Sequence, residues 1–203
     1  MNFAELFATV IDIWVKGGWL MIPLALLALF IYLSGFELIF YFRRYGYDRS
    51  DKNVWGHWVD RPDEGEGQLG HLIRFSQMGG RRLENVRSRI HELRFTHIEP
   101  AQRRILCLSI LVTAAPLTGL LGTVIGMIVT FAGLSSSSGS AIDIVAGGIS
   151  QALITTQTGL IIAIPGYVIV HYARRRCVQL EGFFAELEVQ SMKKIQHAKP
   201  LSA

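Results

Sequence analysis

Three long stretches of this chain carry no charge. Gly17 to Phe36 is an uncharged run, a second extends from Ile105 to Ile142, and a third from Ile144 to Val170. A helix needs roughly 20 apolar residues, at ~1.5 Å each, to cross ~30 Å of hydrocarbon, so each run can span once. Packed as core helices of a water-soluble domain, three such lengths in 203 residues would leave too little polar surface to cover them. A composition of 50% hydrophobic and 18% charged residues agrees with spanning. The expected fold class is an all-α membrane protein with three transmembrane helices.

The first run is not expected to be a cleaved signal. Glu5 and Asp12 precede it with only Lys16 in support, the reverse of a basic leader, and no small-residue cleavage site follows. Basic residues set the expected orientation. Residues 1–42 hold one Lys or Arg, 43–104 hold thirteen, 134–144 none and 174–203 six. Because basic residues stay on the cytoplasmic side, the N-terminus and the short loop are expected outside, in the periplasm, and the large loop and tail inside.

The predicted organisation is an amphipathic helix on the periplasmic side over 1–18, spans over 19–42, 105–133 and 145–173, a cytoplasmic loop domain with short helices over 43–104, a periplasmic loop over 134–144, and a cytoplasmic tail over 174–203. The second and third helices are expected to extend into the cytoplasm. The net charge of +4 does not point to nucleic acid, because Arg43-Arg44, Arg103-Arg104 and Arg174-Arg175-Arg176 each abut a span. Anchoring to anionic membrane lipids explains them.

At the N-terminus Phe3, Leu6, Phe7, Val10, Ile11 and Trp14 recur at helical spacing, and Gly17-Gly18 should stop the helix. Its apolar face suits either the outer membrane surface or the chain's own third span. Glu37 is the one charge of the first span. It reads as neutralised by the nearby Arg43 and Arg44, with a role in ion transfer at the inner boundary as the alternative. Residues 46–80 suggest turns and short helices, with helix favoured from about Gln68 or Leu83 and broken or restarted at Pro100. His91 and His97 stand six apart, about 120° round a helix, which excludes a zinc-protease pair needing a spacing of four.

The second and third runs are unlike ordinary lipid-facing helices. In "APLTGLLGTVIGMIVTF", Gly119, Gly122 and Gly126 fall within about 60° of one another, a strip where another backbone can approach. Pro116, Thr123 and Thr130 form an adjoining stripe at seven-residue spacing. The third run carries Gln151, Thr155 and Thr158 on one face, with Thr156 and Gln157 pointing elsewhere. Lipid cannot satisfy these groups, so neighbouring helices or a wet cavity must. They read either as packing glue, bonding their own backbone and neighbours, or as the lining of an ion path. No nucleophile–base pair, phosphate loop, metal cluster or cofactor motif accompanies them, and the spans hold no ionisable residue at mid-depth. An enzyme is not indicated. A proton relay would need a titratable group from a partner helix.

"APLTGLLGTVIGM" (Ala115 to Met127) and "ISQALITTQTGLIIAIPG" (Ile149 to Gly166) together resemble the paired spans of the ExbB/TolQ/MotA superfamily, with the three-span arrangement closest to ExbB. The resemblance covers about Trp19 to Arg176. It implies a bacterial inner-membrane motor subunit: a homopentamer around a single-span ExbD-like partner bearing an aspartate, delivering proton-motive force to a TonB-like transducer. Thr123 and Thr156 correspond to the family's pore threonines, and Pro116 would shape the second span. The resemblance further implies that Gln151, Thr155, Thr158 and Thr130 face or flank the pore, and that Gly119, Gly122 and Gly126 pack neighbouring helices. Gln151 departs from the glutamate usual in ExbB and TolQ; it keeps size and hydrogen bonding but cannot titrate. Thr155 beside Thr156 is the pair found in sodium-driven stators, where proton-driven relatives commonly have Ala-Thr. A TolQ-like subunit, a sodium-driven relative and a non-conducting envelope scaffold stand as alternatives.

Overall fold

The computed structural model describes residues 3–44, 57–59, 61–65, 67–77, 83–136 and 141–197. The described residues are almost wholly helical: α1 (Phe3–Lys16), α2 (Met21–Arg44), a 3-10 turn (Pro62–Glu64), α3 (Gly67–Gln77), α4 (Leu83–Ser136) and α5 (Ala141–His197). α2, α4 and α5 are long and apolar enough to cross a membrane. α4 has 54 residues and α5 has 57. At ~1.5 Å per residue both continue well beyond ~30 Å of hydrocarbon.

The N-terminal helix ends where two glycines were expected to stop it. Gly17 N–H closes the last turn on the Ile13 carbonyl at 3.0 Å, and Gly18 takes φ +71°, a left-handed conformation that suits a residue without Cβ. Ile11 and Trp14 of its apolar set are exposed; the side chains of Phe3, Leu6, Phe7 and Val10 lie outside the described residues. So do the "SSGS" of the short loop (137–140), most of the segment between α2 and the 3-10 turn, and the last six residues of the tail.

Pro100 neither breaks nor restarts its helix, contrary to the sequence-based expectation: α4 runs through it and through Pro116, as α5 runs through Pro165. A helical proline frees the carbonyl four residues back and loosens that turn, which a tertiary partner can steady. Two tyrosines of α2 reach these turns. Tyr41 donates to the His97 carbonyl at 3.1 Å, three residues before Pro100, and Tyr32 makes a longer 3.5 Å approach to the Ile162 carbonyl, three residues before Pro165.

The chain forms two compact units: residues 1–35 with 107–169, and residues 36–106 with 170–203. In the first, Leu24 and Ile31 of α2, Leu108, Val112 and Ala115 of α4, and Ile162 and Ala163 of α5 are buried. The outward faces are apolar too: Leu26, Phe30 and Leu33 of α2, Leu120 and Val124 of α4, and Leu153, Leu160 and Ile164 of α5 are all exposed. Helices with apolar residues both inside and outside suit lipid as solvent.

The second unit has a larger-residue core of Val86, Ile90, Leu93, Leu180, Phe183, Phe184 and Leu187, joined by Leu72 and Ile73 of α3. Its surface is charged. Arg94 pairs with Glu181 at 3.2 Å and Arg87 with Glu188 at 3.5 Å. The pairs are seven residues apart on α4 and seven apart, in the opposite direction, on α5. That is the register of an antiparallel coiled coil, and the buried positions repeat at three- and four-residue steps accordingly.

Candidate functional site

In the first unit, α4 meets α5 along small residues. Buried Ala115, Gly119, Gly122, Gly126 and Thr130 recur at steps of four and three on α4, facing Gly148, Ala152, Thr155 and Gly159 on α5. A Cβ on Gly119 would stand 2.9 Å from the Thr155 carbonyl oxygen and 3.1 Å from Thr156 Cα. One on Gly159 would stand 2.7 Å from the Ala115 carbonyl. The backbones themselves are therefore in contact, and glycine is required because no side chain fits between them. The backbone that fills the glycine strip of α4 is that of the same chain's third span.

Close approach brings side-chain hydroxyls to the opposite main chain. Thr156, half-buried, donates to the Gly119 carbonyl at 3.0 Å. Thr155, only 1% exposed, donates to the Ala152 carbonyl of its own helix at 2.9 Å, approaches the Gly119 carbonyl at 3.5 Å, and seats its side chain on Gly122. Thr130, 3% exposed, donates to the Gly126 carbonyl at 2.8 Å and rests on Gly148. Thr123 and Thr158, both half-buried, turn to their own helices, donating to Leu120 at 2.7 Å and Ile154 at 2.8 Å.

The common chemistry is that each hydroxyl has placed its single proton on a carbonyl. What remains on each oxygen is acceptor capacity. Such a seam can receive a hydrogen bond from water or a protonated acid, and cannot itself supply a titrating proton. Pro116 is half-buried beside Ala115, within unbroken helix.

The remaining two candidate residues stand apart from this seam. Gln151 lies against Gly18, at the elbow between α1 and α2. Glu37, in the second unit, pairs with Arg104 of α4 at 2.5 Å, a partner remote in sequence; of the two arginines its neighbourhood suggested, the Arg44 side chain lies outside the described residues. Helical geometry keeps Arg43 away, because it is about 240° round the helix from Glu37. Outside the spans, burial holds the His97 imidazole below its ordinary value.

Sequence reasoning missed the complementary strip on α5. Gly148, Ala152, Gly159 and Gly166 recur at steps of four, seven and seven, a visible signal overshadowed by the threonines and glutamines beside them. It also missed the contacts of Arg104 and of both tyrosines, whose partners are distant in sequence.

Residues 70–185, which include the whole of this seam, match the MotA/TolQ/ExbB proton channel family. The chain belongs to this family. Similar members include a putative ExbB-like biopolymer transport protein of Synechocystis, 45% identical over 56 residues, or 27% of each chain. The biopolymer transport protein ExbB of Salmonella typhimurium is 33% identical over 76 residues, 37% of this chain and 31% of that protein. The Tol-Pal system protein TolQ of Haemophilus influenzae is 40% identical over 68 residues, 34% of this chain and 30% of that protein. The matched stretches thus span less than a third of these relatives' lengths. As a MotA/TolQ/ExbB member with three apolar helices, the protein is a multi-pass membrane protein. Both ExbB and TolQ are represented among these relatives.

Proposed function

We propose that this chain is the channel-forming larger subunit of an inner-membrane ion-driven motor, ExbB-like in role. A homopentamer would surround a single-span ExbD-like partner, whose aspartate supplies the titrating group that the spans of this chain lack at mid-depth. The N-terminus and short loop would face the periplasm, and the basic loop domain and tail the cytoplasm, following the distribution of Lys and Arg. The partner's periplasmic part would pass force to a TonB-like transducer.

The observation that carries this reading is the hydroxyl seam in stretches of α4 and α5, Ile105–Ile142 and Ile144–Val170, that contain no carboxylate. Thr156 and Thr123 keep acceptor oxygens while spending their protons on carbonyls, which suits hydrogen bonding to a protonated carboxylic acid or to water during transfer. Thr155, Thr158 and Thr130 support the walls of that path. Burial of Thr155 against Gly122 favours protons over sodium, because a sodium ion needs several accessible oxygens at once. One charge moving through ~100 mV releases about 2.3 kcal/mol, so a stroke that opens a stable folded plug would need several ions.

The test is ion flux in proteoliposomes containing this chain and the single-span protein encoded beside it, under a proton or a sodium gradient. The expected result is proton flux that disappears when the partner's aspartate is replaced. Sodium-dependent flux would overturn the choice of ion, and an assembled complex that supports envelope function after Thr123→Val with Thr156→Val would favour a scaffold.

A further inference from the structure

Two consecutive glycines at the end of α1 are both occupied by the third span. At Gly17 an added Cβ would meet Ile154 Cγ2 at 3.2 Å, as well as Met21 of its own segment. At Gly18 it would collide with the terminal amide of Gln151. Gln151 and Ile154 are one turn apart on one face of α5, so the elbow and the span meet over two neighbouring points. The elbow backbone is otherwise closed on itself, with Gly18 N–H on the Val15 carbonyl and Met21 N–H on that of Gly18. We propose that Gln151 is a positioning residue. Its side chain fills the notch left by the missing Cβ of Gly18 and ties the α1–α2 elbow to the third span.

A neutral side chain suits this seat. Of the charged groups on the elbow's own helix, Asp12 and Lys16 are paired with each other at 2.6 Å, and Glu5 stands thirteen residues before Gly18, more than three turns away. Neither Gly17–Phe36 nor Ile105–Ile142 contains an Asp, Glu, Lys, Arg or His, and on α5 the nearest acid is Asp143, two turns away. An ionised carboxylate pressed onto the Gly18 backbone would have no cation to compensate its lost hydration, whereas a protonated one would match glutamine in size. The inference deepens the motor reading and rests on it only for its consequence: at this position the chain uses shape to set the outer end of the third span, not a titrating group.

The experiment is amide hydrogen exchange of the assembled complex over residues 13–22, in wild type, Gly18→Ala, Gln151→Ala and the double variant. Each single change is expected to speed exchange about tenfold, and the double variant to exchange no faster than Gly18→Ala, because removing the amide relieves the collision. Multiplying effects would overturn the proposal. Gln151→Glu should match wild type at pH values where the new acid is protonated and exchange faster where it is ionised; a pH-independent ratio to wild type would overturn it equally. Flux measured alongside separates the two readings. A cycle without coupling but with flux lost in Gln151→Ala places Gln151 in the ion path and overturns the positioning role. A coupled cycle in a complex that never conducts supports the seat and counts against the motor.

Discussion

The hydroxyl of Thr156 on α5 donates to the carbonyl of Gly119 on α4, 3.0 Å away. The bond exists because Gly119 has no side chain to hold the helices apart, so a main-chain acceptor is presented directly to the third span. Helix contact and the polar seam are thus one feature.

Thr156→Val keeps the shape and removes the bond. The expected cost is about 1 kcal/mol, read as a lower melting temperature in detergent. Under the motor reading, partner-dependent flux should fall by about tenfold or more, as with loss of a polar contact used in the transition state. Thr156→Ser should retain both.

Gly122→Ala would drive a methyl group into the Thr155 side chain, which is β-branched and buried and so cannot step aside. Destabilisation of about 1–3 kcal/mol is expected, relieved by adding Thr155→Ser or Thr155→Ala. Gly147→Ala is the control: nothing lies within 4 Å of its added Cβ, so helix propensity should make the change neutral or stabilising by up to about 1 kcal/mol. Thermal unfolding of the three variants distinguishes packing from propensity.

Tyr41→Phe removes the donor that reaches the His97 carbonyl in the turn before Pro100. A loss of about 1 kcal/mol is expected. Faster amide exchange should be confined to the turn around Pro100.

His97 sets a pH dependence. Burial lowers its folded-state value below the ordinary 6.5, so the neutral form is the one folded in. Above about pH 6.5 the residue is neutral folded and unfolded, and its contribution is fully present. As pH falls below that, the unfolded chain takes up the proton first and stability declines until the folded-state value is reached. Urea unfolding between pH 5 and 8 (roughly the histidine range) should show this slope, and His97→Gln should lose its share of it.

Glu37 and Arg104 are 66% and 54% exposed, so their pair should contribute little in detergent solution, about 0–1 kcal/mol, decreasing with salt. A double-mutant cycle with Glu37→Gln and Arg104→Gln at low and high salt measures it. A coupling that survives high salt would contradict an exposed pair.

The three apolar runs and the glycine stop after α1 were readable because uncharged length and the end of a periodic pattern are local properties of a chain. The continuous course of α4 through Pro100 was not, since whether a proline breaks a helix depends on what steadies the loosened turn, here Tyr41 from a helix 56 residues away. For the seam, the small residues and threonines could be located by spacing, while what they meet could not. A glycine strip announces that something approaches closely without naming it.

The sequence by itself determined that three helices are long and apolar enough to cross a membrane, where the polar residues lie along them, and that these stretches carry no ionisable group at mid-depth, because these follow from residue type and order. Only the tertiary structure decided that Gly119 receives Thr156, that Gly122 receives Thr155, that Glu37 turns to Arg104, and that Gln151 fills the space beside Gly18. Each of these joins residues that are remote in sequence, and their meeting depends on the register of one helix against another, which is fixed by packing of small residues and not by any local preference.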